Sequence, residues 1–326
     1  MLAHLWASCV ADRRAAIAAS ACVVAVLTYI VCIAITVSNG TYIGGLSFPY
    51  FSDTGRDMPA YAVFSVGLTA TCLLYIPLHL YILREVKATE VKATEAGTAG
   101  APSCCCGRPC GGGSRCSTAC QATGAAACAI VSAPFLSVLA IADTAFHADL
   151  HQYAAYLFFL LNVVSVALYR HVFNSLALAA ASAAGGEAAL AARHARSSNV
   201  KRVLSYCFYA AFLLYLPIGI AVNCAFVRLP MAACVNELKL GARFCAERAL
   251  ASNATLTVLW DYTPCLGTNT MRSVSQFFSI VSLLLFNGSF MLDFGKDEER
   301  ANAVAGDELE GQLQTKAARI AVEAGL

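Results

Sequence analysis

Residues 15–38 read AAIAASACVVAVLTYIVCIAITVS, a run of 24 residues without a charged side chain. At a rise of about 1.5 Å per residue, a helix of this length exceeds the roughly 30 Å hydrocarbon core of a bilayer. The run is also longer than the apolar segment of a cleaved signal peptide, which extends over about 7–15 residues. We therefore predict a membrane-spanning helix that stays in the mature protein.

The rest of the chain repeats this pattern. Of its 326 residues, 59% are hydrophobic and 13% are charged, whereas soluble domains carry about 25% charged residues. Because backbone polar groups in lipid must be paired within the segment, each apolar run is expected to form a helix. We predict an all-α integral membrane protein, a bundle of six transmembrane helices. The five further spans are expected at residues 61–83, 122–142, 153–173, 203–227 and 274–294.

The Lys and Arg residues that flank these runs fall unevenly on the two sides, with 16 on one side and six on the other. Cytoplasmic flanks carry the excess of positive charge, so both termini are predicted to be cytoplasmic. The expected segments are a cytoplasmic N-terminus (1–14), a six-helix membrane domain (15–294) and a cytoplasmic tail (295–326). Within the membrane domain we expect a Cys-rich cytoplasmic loop (84–121) and a long outward loop (228–273).

Two glycosylation sequons support this orientation, because Asn39 and Asn253 both fall on the side with few positive charges. The net charge of +2 comes without a basic patch interleaved with aromatic residues, so no nucleic-acid partner is expected. The expected partners are membrane lipids and, in addition, a membrane or cytosolic protein. The expected location is an endomembrane (lysosome, Golgi or ER) or the plasma membrane.

The 16 cysteines form two populations. Cys234, Cys245 and Cys265 lie in the long outward loop, where an oxidising environment favours disulfides. We expect Cys234 to pair with either Cys245 or Cys265, because Cys224 is expected to lie within the fifth span. The spacing alone does not choose between these two pairings.

The second cysteine population precedes the third span, in the stretch APSCCCGRPCGGGSRCSTAC at 101–120. On the cytoplasmic side disulfides are disfavoured, and S-acylation of juxtamembrane cysteines is the favoured interpretation. A flexible Cys-rich loop is the alternative. A metal site is less favoured because the spacing is irregular and the stretch contains no His. The acylation candidates are Cys104, Cys105, Cys106, Cys110, Cys116 and Cys120.

The triplet Asp53-Thr54-Gly55 lies in the first outward loop, in FPYFSDTGRDMP at 48–59. Aspartic-protease catalysis needs two carboxylates that share a proton. The chain has no second Asp-Ser/Thr-Gly, and Arg56 would place a cation beside the dyad. We therefore predict an ordered turn rather than a protease site, with Gly55 providing a positive φ angle.

The segment SFPYFSDTGRDMPAYAVFSVGL at 47–68 resembles the signature of the Frag/DRAM/Sfk family of multi-pass membrane proteins, which include damage-regulated autophagy modulators and a Cwh-type N-terminal region. Met58 and Ala60 depart from it, because relatives carry Pro and Glu there. The stretch at 141–169 is similar to a second family block and contains Asp143, His147 and His151. The signature positions that match are Ser52, Asp53, Thr54, Gly55, Pro59 and Phe64.

The resemblance implies six helices with both ends inside, and a role without catalysis in endomembrane or lysosomal autophagy regulation or in membrane lipid organisation. We expect the two shared blocks to form a functional outward face, and we expect no catalytic residue, cofactor or metal centre. Alternative roles are lipid remodelling in the maturation of glycosylphosphatidylinositol anchors and small-molecule transport. No nucleophile with a base and an orienting group is apparent for the first. No charged residue at mid-membrane is apparent for the second.

Overall fold

The structure is a computed structural model that describes residues 13–95, 118–182, 188–222, 224 and 226–294. Within these ranges the chain is mainly helical, with short elements between the long helices. The long helices are α1 (Arg13–Ser38), α3 (Ala60–Glu95), α4 (Thr118–Ile141), α5 (Ala148–Ser182), α6 (Ala188–Tyr215) and α9 (Leu266–Gly288). The short helices are α2 (Phe51–Thr54), α7 (Pro217–Ala221), α8 (Ala242–Glu247) and α10 (Met291–Phe294).

Five segments of the described chain are long and apolar enough to cross a membrane. They are Ala15–Ser38, Ala60–Val91, Thr118–Ile141, Ala148–Ala181 and Thr263–Asp293. This confirms the prediction of an all-α integral membrane protein. Two helices are also longer than predicted, because α3 has 36 residues and α5 has 35. At about 1.5 Å per residue both are long enough to extend well beyond a hydrocarbon core.

The predicted fifth span, 203–227, is wrong at its outer end. Helix α6 stops at Tyr215, α7 begins at Pro217, and the chain is already in a β-strand at Val227. Proline has no backbone N–H, and its ring clashes with the carbonyl of the preceding turn, so it interrupts an α-helix. Cys224 therefore lies outside the helix in which it was expected.

The six long helices form a closed ring. Each packs against the next along the chain, and α9 completes the ring by packing against both α6 and α1. Aromatic side chains fill the interior, among them the fully buried Tyr75, Tyr169 and Phe290. His79 is buried with them, and its Nδ1 lies 3.2 Å from the Tyr169 hydroxyl.

One end of the ring, which we call the loop end, gathers residues 39–59, 142–147, 224 and 226–265. Its outer part is a three-stranded antiparallel sheet in the order β1–β3–β2, formed by β1 (Val227–Pro230), β2 (Ala249–Leu250) and β3 (Asn253–Asp261). Arg228 pairs with Trp260 in the sheet register. Leu229 and Leu259 bury a small separate core with the Cys234–Cys245 disulfide. The long outward loop is thus a folded layer, which we call the sheet layer (227–265).

Two disulfides stabilise the sheet layer: one lies within it, and the other joins it to the helices of the bundle. Cys234 pairs with Cys245, and Cys265 pairs with Cys224. The alternative pairing of Cys234 with Cys265 is not the one observed, because the end of α7 brings Cys224 beside the first turn of α9. The second disulfide therefore joins the chain that leaves α7 to the start of α9.

Candidate functional site

The first shared block forms the short helix α2 and is attached to two long helices. The backbone N–H of Phe51 donates to Gln276 Oε1 of α9 at 2.9 Å. The Thr36 hydroxyl of α1 donates to the Thr54 carbonyl at 3.1 Å, and the Thr54 hydroxyl donates to the Phe51 carbonyl at 2.7 Å. Local side-chain to backbone bonds of this kind satisfy a loop that is buried away from water.

Asp53 lies at the centre of the loop end and is 1% exposed. The Tyr262 hydroxyl, at the end of the sheet layer, donates to its Oδ2 at 2.9 Å. Burial raises the pKa of Asp53 above its ordinary value, while the Arg56 guanidinium and the hydroxyls of Tyr262 and Thr144 oppose that shift. Asp53 therefore connects the first loop to the sheet layer, and its carboxylate is not presented to solvent.

A second set of charges lies beside Asp53. Asp57 accepts from Arg56 at 2.7 Å through one oxygen and pairs with Arg248 of the sheet layer at 2.7 Å through the other. Arg56 is buried and also donates to the Tyr42 carbonyl at 2.8 Å. Burial by itself lowers the pKa of Arg56, but Asp57 more than offsets this effect and the pKa is raised. These contacts fasten the first loop to the sheet layer a second time.

Gly55 is required by packing and not, as predicted, by a positive φ angle. Its φ is −98°. A Cβ atom at this position would lie 2.2 Å from Cγ of the Phe64 ring, which is closer than van der Waals contact allows. Phe64 is itself buried in the bundle, whereas Pro59 is exposed.

The second shared block separates its two histidines. Asp143 Oδ1 accepts the backbone N–H groups of Ala145 and Phe146 at 2.8 and 2.6 Å, which caps the turn before α5. His147 is exposed, with its Nδ1 3.7 Å from Asp143 Oδ2. His151 points into the bundle, with its Nδ1 2.8 Å from the Ala142 carbonyl. The described residues include no group of three His, Cys, Asp or Glu side chains that could hold a metal.

The expected outward face is therefore largely an interior joint. Asp53, Thr54, Phe64 and His151 are buried, and Ser52 is half-buried. Substitutions at Asp53 and Thr54 would act through the packing of the loop end, whereas Ser52, Phe64 and His151 also line cavities inside the ring.

Beneath this joint lie two adjoining chambers inside the ring. The outer one, of about 70 Å³, has a mainly polar and aromatic lining. The inner one, of about 60 Å³, is lined mainly by apolar side chains. Ser52, His151, Ala155 and Gln276 line both chambers. We call them the polar chamber and the apolar chamber.

Arg272 of α9 lines the polar chamber and is 5% exposed. Its Nε donates to the Tyr215 carbonyl at 3.2 Å, and its guanidinium carbon lies 4.7 Å from the centre of the Phe226 ring. Among the described residues it forms no ion pair with a carboxylate. The polar chamber thus holds a buried positive charge that a carbonyl and an aromatic ring stabilise only in part.

The sequence interpretation missed Arg272 and Gln276 as site residues. A signal was present, because Asn269, Arg272, Gln276 and Ser279 recur at helical spacing and all four are buried. The apolar Phe278 and Leu285 of the same helix are exposed. In a membrane bundle a polar stripe of this kind faces the interior and an apolar stripe faces lipid.

The remaining candidates are placed as follows. Asn39 and Asn253 are both exposed at the loop end, so their glycosylation stays a prediction. Cys120 lies in the first turn of α4 and is half-buried. Cys104, Cys105, Cys106, Cys110 and Cys116 lie outside the described residues.

Comparison with known proteins identifies one family. The sequence model of the Frag1/DRAM/Sfk1/Cwh43P N-terminal domain matches residues 14–296, which covers all six long helices apart from Arg13. No curated protein and no solved structure matches the chain.

Proposed function

Because the chain belongs to the Frag1/DRAM/Sfk1/Cwh43P N-terminal domain family, we propose that it is a six-span membrane protein that organises membrane lipids without catalysing a reaction. The observation that carries this proposal is the pair of chambers inside the ring. A polar chamber that contains a buried cation adjoins an apolar one, and this arrangement has the chemistry of one amphipathic molecule.

The proposed topology has both termini on the cytoplasmic side. The loops at 39–59 and 142–147 contact the sheet layer directly, because Trp260 donates to the Thr144 carbonyl at 3.2 Å and Tyr262 donates to Asp53. An even number of spans returns the chain to the side where it began. In this proposal α6 and α7 together form the fifth span, and the disulfides and the two sequons face an oxidising compartment.

The proposal of a non-enzymatic role is supported by the engagement of the candidate carboxylates. Asp53 is bonded to Tyr262 beneath the sheet layer, and Asp57 is paired with Arg56 and Arg248. A proteolytic dyad needs two carboxylates that share a proton beside a substrate. Here each carboxylate instead fastens one loop to another.

The test compares cells that lack the protein with cells that produce the wild-type chain. We expect the lipid composition, or the distribution of lipids between the leaflets, to change in the membrane that holds the tagged protein. Imaging of that protein identifies the membrane among the endomembranes and the plasma membrane. Lysosomal turnover of an autophagy reporter in the same cells measures the other role that the family suggests. An unchanged lipid profile in both leaflets would overturn the proposal.

A further inference from the structure

We infer that the two chambers bind a lipid with a net negative charge, with its phosphate or carboxylate group at Arg272 and the start of one hydrocarbon chain in the apolar chamber. This inference rests on the proposed function and specifies its ligand. The proposed ligand belongs to the leaflet on the loop-end side of the membrane.

The first argument is the charge balance of the polar chamber. Among the described residues no Asp or Glu lines it, and its polar lining includes the hydroxyls of Tyr50, Tyr156 and Tyr215 and the amide of Gln276. The buried carboxylate of Asp53 is bonded to Tyr262 and interacts with Arg56. A buried cation without an anionic partner is costly, and an anion at the guanidinium would offset that cost.

The second argument is the hydrogen-bonding capacity that remains at Arg272. A guanidinium offers five N–H donors in a planar fork that fits phosphate and carboxylate oxygens in a bidentate manner. Its single hydrogen bond within the described chain is the one from Nε to the Tyr215 carbonyl. The two Nη groups are therefore available to a ligand that enters the polar chamber.

The third argument is the order of the chambers along α9. Arg272 lies six positions after Leu266, where the helix begins, or about 9 Å along the axis. Ile280, Leu283 and Leu284, which line the apolar chamber, lie about 21–27 Å along it. The polar chamber is therefore nearer the loop-end surface and the apolar chamber is deeper, as are the headgroup and the chain of a lipid in that leaflet.

The residues that line the polar chamber also indicate where the ligand enters and which lipid headgroups the chamber disfavours. Gln152 of α5 is exposed and Tyr156 is half-buried, so the polar chamber opens beside α5 below the sheet layer. Its volume of about 70 Å³ leaves room for a single anionic group. A zwitterionic headgroup would bring an ammonium that finds no carboxylate among the lining residues, so lipids with a net negative charge are preferred.

Trp260 lines the polar chamber and provides the measurement, because the chain has only one other tryptophan, Trp6. The full chain carrying Trp6→Phe is placed in nanodiscs that contain phosphatidic acid or phosphatidylcholine with chains brominated near the headgroup. We expect phosphatidic acid to quench Trp260 fluorescence at a concentration about tenfold lower. Both lipids offer a phosphate to the guanidinium, but phosphatidylcholine also brings an ammonium that finds no carboxylate among the lining residues. Arg272→Gln should abolish this preference.

The control is Arg243→Gln, which removes the same charge from an exposed position on α8. It should keep the preference. Ala155→Leu, which narrows the junction of the chambers without changing charge, should weaken quenching by both lipids if the chain enters the apolar chamber. The Cys234–Cys245 disulfide, read on a non-reducing gel, reports that each variant has folded.

Inorganic phosphate in the same assay distinguishes a lipid from a free anion. Phosphate that displaces brominated phosphatidic acid completely at millimolar concentration would overturn the lipid ligand, as would equal quenching by the two lipids in the wild-type chain. If the wild-type chain shows no preference for phosphatidic acid but still changes the lipids of the cell, this inference is overturned and the proposed function stands. A preserved preference without any cellular lipid effect would overturn the proposed function.

Discussion

Two buried cations in this bundle have opposite surroundings. Lys201 of α6 is fully buried, and its ammonium lies 2.5 Å from Asp293 of α10 and 2.7 Å from the Ser197 hydroxyl. Arg272 of α9 is almost as buried but has no carboxylate partner among the described residues.

The difference in their surroundings indicates a structural role for Lys201 and a binding role for Arg272. Lys201 also lies over the rings of Phe173 and Phe290, so its charge is compensated within the chain. It joins α6 to the end of α9 and α10 at the end of the bundle opposite the sheet layer. Arg272 lines a chamber instead, and in our proposal the anionic group of a ligand compensates its positive charge. A buried charge that is paired stabilises a joint, whereas one that is unpaired indicates a site.

The largest expected effect is on the paired cation. Asp293→Asn leaves the Lys201 ammonium buried without a carboxylate, which should lower the free energy of unfolding by about 3–5 kcal/mol. The measurement is thermal unfolding of the purified protein in detergent. The control is the double variant Lys201→Met/Asp293→Asn, which removes the unpaired charge and should recover part of the loss. A single variant as stable as the wild type would show that the pair does not hold the two helices together.

A smaller effect is expected when Arg272 is given a partner of its own. Gln276→Glu places a carboxylate one helical turn from Arg272, where positions i and i+4 are neighbours. The preference for brominated phosphatidic acid should fall about tenfold, since the chamber then supplies its own anion. The control is Gln276→Leu, which adds no charge and should keep more of the preference. A preference that survives Gln276→Glu unchanged would place the anion elsewhere.

Asp53 extends the comparison to a buried carboxylate that accepts a hydrogen bond from the Tyr262 hydroxyl. Its pKa is raised by burial and by Asp57, while Arg56, Tyr262 and Thr144 lower it. A raised pKa in the folded state means that the contribution to stability is full below the unfolded value of 3.8 and is lost as the pH rises through the folded value. The melting temperature of the wild type should therefore fall, relative to that of Asp53→Asn, as the pH rises above 3.8. Parallel pH profiles of the two proteins would contradict the raised pKa.

The smallest expected effect is on stability at Arg272. In lipid-free protein, Arg272→Gln should change the free energy of unfolding by no more than about 1 kcal/mol, because no carboxylate among the described residues loses its partner. Thermal unfolding under the conditions used for Asp293→Asn is the measurement. A loss as large as that of Asp293→Asn would show that Arg272 is a structural residue in the same sense as Lys201.

The helices were predictable because burial in lipid leaves a chain little choice of structure. Each of the five candidate spans is a long, predominantly apolar run, and in such a run only helical hydrogen bonds satisfy the backbone. The fifth predicted span ended in the wrong place because hydropathy continues past Pro217, whereas the helix does not. The role of Gly55 was also misjudged, since a packing contact with Phe64 of the following helix cannot be inferred from turn propensity.

The amino-acid order established the membrane class, the family signature at Asp53-Thr54-Gly55 and the clustering of cysteines in the long loop, because these depend on composition and on residues close together in the chain. Folding decided which cysteines pair, that Asp53 is bonded to Tyr262, and that Arg272 meets no carboxylate in the part of the chain that the structure describes. These outcomes join residues that are far apart in the chain. They depend on how six helices pack into a ring, and the periodicity of each helix does not determine that packing.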